Sequence, residues 1–295
     1  MYEVSEPPTN FTFASHGVAF SARNIKQGRH VFAETSLWYV PIADYTKPPT
    51  SELRQVQLGD RVGLSENVRF TPDGEKISWL FHNNQDWFNP RIMMCALEDL
   101  DAFDVFEQVL GITDEDDSDC PSAFEFTDRA DELIIQTQRH ARGILSFLKL
   151  EYGATPRAIT KTGTVSAVYP LVEDKWDKFV ITSTSFVDSG LVQIADRSNP
   201  EQMGRDGVSL KTMSSATKHG ARFNLDWDEM VEEFWFEGAD GKLIHSWLIK
   251  PMGFDEKKEY PWILRPHGGP VAASTDSWML PVRCIGWNYA SRTSD

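Results

Sequence analysis

The sequence has 295 residues, enough for one large domain or two ordinary ones. Its composition, 41% hydrophobic and 25% charged with ten tryptophans, excludes an intrinsically disordered chain and supplies material for a packed core. Acidic residues outnumber basic ones by 44 to 29, so nucleic acid is not an expected partner, because phosphate neutralisation needs clustered cations.

No run approaches the length of an apolar membrane span, so no membrane partner is expected. From Met1 to Phe20 no basic region precedes an apolar run, and no secretory signal is read in this chain. Cys95, Cys120 and Cys284 form no C-x-x-C pair, which gives no sign of zinc or a redox motif. The acidic run Asp114 to Asp119 lacks the glycine and terminal glutamate of a calcium loop and reads as a solvated loop. No metal or cofactor is expected. Asn10-Phe11-Thr12 is a sequon, so Asn10 is a possible N-glycosylation position.

In chain order, the elements are short strands joined by turns. Phe11 to Phe13 and Val18 to Ala22 flank a turn at Ala14 to Gly17. Val68 to Phe70 and Lys76 to Phe81 flank Thr71-Pro72-Asp73-Gly74, where Pro at i+1 and Gly at i+3 are type I turn chemistry. Phe124 to Phe126 with Leu133 to Thr137, and Leu171-Val172 with Phe179 to Ser183, repeat the pattern. Each hairpin precedes another apolar strand: Leu37 to Ile42, Arg91 to Leu97, Ile144 to Leu150 and Leu191 to Ala195.

The anchors Phe13, Phe70, Phe126 and Val172 are 57, 56 and 46 residues apart. A period near 50 with about four strands per unit is the signature of propeller blades. A β-sandwich has no reason to repeat a turn and strand at this spacing. The repeats stop near residue 200, and Met203 to His219 is read as a polar connector.

From Glu232 the pattern changes. Phe234 to Phe236 is an apolar strand, Gly238 to Gly241 a tight turn, and Leu243 to Lys250 a second strand. Pro261 to Leu264 reads as a third, short strand running into Arg265-Pro266-His267-Gly268-Gly269-Pro270. In α/β-hydrolases an HGG-type loop supplies a backbone N–H to the oxyanion hole. Glycine allows close backbone approach to the developing charge. A plain strand-ending turn has the same composition. His245 lies within a strand and is read as structural.

Asp240 to Pro251, Gly253-Phe254-Asp255, Lys258 to Pro261, His267 to Pro270 and Asp276-Ser277-Trp278 carry a family resemblance. Together with the Thr71 to Gly74 turn, they make the chain similar to the prolyl oligopeptidase family of serine peptidases. The dipeptidyl-peptidase V and acylaminoacyl-peptidase branch is the best match. The resemblance implies a mainly β chain with a partial β-propeller of about four blades over 1–231. The N-terminal fragment of an α/β-hydrolase (peptidase) domain would occupy 232–295. It also implies peptide substrates, hydrolysed near their N-terminus by acyl-enzyme chemistry, and His267, Gly268, Gly269 and Pro270 as oxyanion-loop residues. The branch is often secreted.

The sequence departs from that family in one decisive respect. G-x-S-x-G, the strand-to-helix turn that carries a nucleophilic serine, is absent from the 295 residues. No Ser, Asp or His of a triad is assigned. The stretch from Met279 to Asp295 reads as a premature or altered end, such as a mis-spliced gene gives. The expectation is a fragment that is inactive alone and prone to aggregate. The competing readings are a non-catalytic propeller that binds a partner, and an esterase of the same superfamily.

Overall fold

The computed structural model describes residues 10–23, 34–102, 107–110, 120–128, 131–151, 154–171, 175–198, 208–268 and 273–278. It is mainly β, and among the described residues no sheet is closed. The chain divides into two compact units, 1–139 with 145–158, and 140–144 with 159–295.

The first unit holds two antiparallel sheets of four strands and, as a third group, the first four strands of an eight-stranded sheet. The first is β1 (Asn10–Ala14), β2 (Gly17–Arg23), β3 (Thr35–Pro41) and β4 (Arg54–Gln55). The second is β5 (Gly63–Phe70), β6 (Lys76–Asn83), β7 (Asp86–Ala96) and β8 (Glu107–Leu110). In the third, β9 (Cys120–Phe126) and β10 (Glu132–Arg139) precede β11 (Arg142–Lys149), and β12 (Arg157–Ala158) pairs with β11. In each sheet the strands lie side by side in chain order, which is the meander of a propeller blade. The first three hairpins read from the sequence are present, with β5 starting earlier at Gly63; the fourth is formed by strands over 164–171 and 175–184, and its anchor Val172 lies outside the described residues. Gly74 closes the Thr71 turn at φ 77°, and its N–H donates to the Thr71 carbonyl at 2.8 Å.

Strand periodicity explains how these sheets pack, with one apolar cluster on each face of the middle sheet. On β6, Ile77, Trp79 and Phe81 point to one face and pack with Ala19, Leu37 and Tyr39 of the first sheet. The intervening Leu80 joins Ile92 and Met94 of β7 against Phe124, Phe126, Leu133 and Ile135 of the third group. A strand apolar on both faces is buried between two layers. The middle sheet is therefore sandwiched between its neighbours, as a blade must be.

The second unit holds the other four strands of the eight-stranded sheet, β13 (Thr164–Leu171), β14 (Lys175–Thr184), β15 (Leu191–Asp196) and β16 (Ser209–Ser215), with β13 joined to β11 by one parallel pair, Gly143 with Thr164. The stretch 203–219, expected as a connector, thus contributes β16. Its sequence, SLKTMSS, has little strand propensity, and pairing with β15 decides its conformation. One turn of helix, α1 (Trp227–Met230), is capped by Asp226, whose side chain accepts from the Glu229 N–H. It leads into a two-stranded ribbon, β17 (Val231–Glu237) and β18 (Leu243–Ile249).

Pro261 to Leu264 forms no strand, which corrects the sequence reading. Trp262, Ile263 and Leu264 are 60–80% exposed, and among the described residues no strand pairs with them. Pro266 removes one ladder donor, so this stretch is poorly suited to pair.

Candidate functional site

In the second unit a two-residue turn, His140-Ala141, joins β10 to β11. Both residues are left-handed, at φ 45° and 53°, the geometry of a hairpin turn that favours Asn-Gly. Histidine and alanine adopt it at a cost, so surrounding contacts must hold it.

The contacts come from the ribbon. On β17, Glu233 points inward and accepts from Arg142 Nη1 at 3.0 Å and Nη2 at 2.8 Å. The same Glu233 Oε1 lies 2.8 Å from His245 Nε2 on β18. Arg142 also sits over the Trp247 ring, 4.6 Å from its centroid. His245 meets Trp235 and Trp247 edge-on and stacks near-parallel on His140 at 6.0 Å. The paired guanidinium holds the Glu233 carboxyl below the ordinary carboxylate range. Burial pushes the His245 ring below the ordinary histidine value, against the pull of Glu233.

A second cluster involves Asp276, which is fully buried. Its Oδ1 accepts from the Phe186 N–H at 2.7 Å, and its Oδ2 from the Gly163 N–H at 2.9 Å and Trp227 Nε1 at 3.1 Å. Its own N–H donates to the Ala141 carbonyl at 2.8 Å, and its carbonyl accepts from Thr164 Oγ1 at 2.8 Å. Burial raises the Asp276 carboxyl above its ordinary value, with the N–H donors opposing. Two residues earlier, the Ser274 carbonyl accepts from Trp247 Nε1 at 2.9 Å.

The sequence-predicted site residues stand apart from both clusters. His267 and Gly268 lie in exposed, irregular chain, and His267 Nδ1 is 2.8 Å from the Gly268 carbonyl oxygen. A Cβ at Gly268 would meet nothing within 4 Å, so no neighbouring group enforces glycine there. Gly269 and Pro270 lie outside the described residues, as do the Asp114–Asp119 run and Cys284. Asn10 opens β1 and is half-buried. His245 is structural in its contacts, as read: it is an ion-pair partner inside a ribbon. Sequence reasoning gave no role to Arg142, Glu233 or Asp276. The one available signal was strand alternation, which places Glu233 on the same face of β17 as Trp235.

Among the described residues, no group of three or more His, Cys, Asp or Glu side chains is arranged to hold a metal ion. No helix of the described chain is long and apolar enough to cross a membrane.

The four-stranded meanders and the ribbon that follows them are the fold of the propeller-bearing peptidases. Prolyl oligopeptidase B from Galerina marginata superposes with a TM-score of 0.54 at 16% identity, over 80% of this chain and 30% of that one. Porphyromonas gingivalis dipeptidyl peptidase 4 gives 0.50 at 11% identity, over 96% and 47%. In sequence, the dipeptidyl-peptidases 5 of Trichophyton schoenleinii and Arthroderma benhamiae are each 26% identical over 218 residues. That match covers 73% of this chain and 28% of each relative. No protein-family model matches the chain. Fold and sequence agree in making the chain similar to the prolyl oligopeptidase family of serine peptidases. It spans little more than a quarter of the length of the curated relatives it matches.

Proposed function

We propose that the chain is the propeller-side part of a dipeptidyl-peptidase-like serine peptidase. Residues 1–231 are a partial propeller that restricts access to short peptides. Residues 232–295 open an α/β-hydrolase domain in which the amides around Gly268 and Gly269 receive the oxyanion of an acyl-transfer intermediate. One observation supports this reading above the rest. The ribbon bearing the family-like Asp240 to Pro251 stretch is fastened, through Glu233 and Arg142, to the turn that opens β11. A propeller that only binds a partner has no use for that ribbon.

The 295 residues contain no G-x-S-x-G, and neither histidine of this region is placed as a base. His245 is engaged by Glu233, and His267 contacts only its neighbouring carbonyl among the contacts described. Oxyanion donors stabilise charge only where a nucleophile attacks a carbonyl. By this reading the chain alone does not hydrolyse peptides.

Two measurements test it. The purified 295-residue chain is expected to show no labelling by a fluorophosphonate serine probe; stoichiometric labelling would reveal an overlooked nucleophile. Transcripts read through the codon for Trp278 are expected to continue in frame into a G-x-S-x-G strand-turn-helix. Transcripts that all stop after Asp295 would instead favour a non-catalytic binding module.

A further inference from the structure

We infer that Asp276 is a positioning residue through which the blade end at Gly163 and Phe186 holds the stretch 273–278 just downstream of the His267–Pro270 tetrapeptide. What that hold means for catalysis rests on the reading above; the hold itself does not.

Asp276 makes five hydrogen bonds to four separate places in the chain. The start of β13 contributes Thr164 and the residue before it, Gly163, the segment after β14 Phe186, α1 Trp227, and the β10–β11 turn Ala141. All three partners of the carboxylate are N–H donors. A carboxylate accepts from all three; an amide would present its own NH₂ to at least one of them. Burying a carboxylate costs on the order of several kcal/mol before its bonds are counted. The three N–H donors, which an apolar side chain would leave unsatisfied, offset that cost only with the carboxylate at this point. The polar choice specifies position.

Two further features point the same way. The bond from the Asp276 N–H falls on Ala141, one of the two left-handed non-glycine residues of the turn, and so helps to hold that conformation. The Ser274 carbonyl is caught independently by Trp247 of β18. The stretch is thus tied on one side to the blade end and on the other to the ribbon.

The test uses the whole chain with ¹⁵N-labelled tryptophan. The indole N–H resonances of Trp227 and Trp247 are followed together with hydrogen exchange at the Gly163 and Phe186 amides. In Asp276→Asn both indole resonances are expected to move toward the free-indole position. Exchange at the two amides should rise about tenfold, the equivalent of one lost buried bond. Trp247 is the discriminating probe, because its partner is Ser274 and not Asp276; its movement reports release of the stretch. Thr164→Val removes a single bond and is expected to shift the same two resonances less. It decides the question if Asp276→Asn does not fold. A Trp247 resonance unchanged in the folded variants overturns the inference. Failure of the peptidase reading would appear as probe labelling or a terminating transcript, with these resonances unaffected.

Discussion

Glu233 and Arg142, 91 residues apart, meet in a two-pronged ion pair in which each carboxylate oxygen takes one guanidinium nitrogen. The pair is mostly shielded, with Arg142 12% and Glu233 22% exposed. A shielded, bidentate pair is costly to break because the surviving charge loses its partner. Arg142→Ala should destabilise the second unit by about 2–3 kcal/mol, below the full buried-pair range because Glu233 keeps some solvent. Arg142→Lys should recover only part of this, since an ammonium cannot span both oxygens. Urea unfolding followed by tryptophan fluorescence measures both; equal stability of the lysine variant and the parent would count against the bidentate geometry.

The same cluster sets a pH dependence. The His245 pKa is depressed, so the folded state binds fewer protons than the unfolded state below the ordinary histidine value. Stability therefore falls as pH drops below about 6.5. The Glu233 pKa is also depressed, and its contribution is present above the ordinary carboxylate value and lost as pH falls through its lower folded value. Arg142 and His140 are the other charged or titratable groups that face this ring. Melting temperatures are expected to decline from pH 7 to 5, and His245→Gln should flatten that decline. A parent protein equally stable at both pH values would contradict the assignment.

Trp79 of β6 has no solvent exposure and lies between the first two sheets. Trp79→Ala leaves a void that rigid β layers cannot close, and should cost about 3–5 kcal/mol. Trp79→Phe should cost clearly less. Denaturant midpoints for the two variants provide the check, and similar midpoints would mean that the layers close over the cavity.

Register divides the ribbon into two faces. Glu233, His245 and Trp247 share the inward face, with Trp235 beside His245 and still 44% exposed. Phe234, Phe236, Ile244 and Leu248 share the other, and each is 39–47% exposed. Apolar clusters left open on a two-stranded ribbon promote self-association. Phe236→Glu with Ile244→Lys should raise the soluble, monomeric fraction in sedimentation experiments without lowering the melting temperature. Unchanged association would place the sticky surface elsewhere.

Much of the blade architecture was legible because a β blade has a short-range code. The Thr71-Pro72-Asp73-Gly74 turn fixes a hairpin with four residues, and alternation along Ile77, Ser78, Trp79 and Leu80 shows which side chains enter which layer. Strand β16 was not legible, because an outer strand of polar residues takes its form from pairing with β15. The His140-Ala141 turn was equally hidden, since its residues are not those that favour left-handed geometry.

By itself, then, the sequence determined the repeating hairpins, the mainly β class and the family likeness, because turn chemistry, period-two patterning and short motifs all act over neighbouring residues. The tertiary structure alone decided that Arg142 meets Glu233, that Asp276 is gripped by Gly163, Phe186 and Trp227, and that Pro261 to Leu264 stays unpaired. Those outcomes depend on which distant backbone donors and charges arrive at one buried point, and a charge or a donor carries no mark in the sequence of the partner it will find.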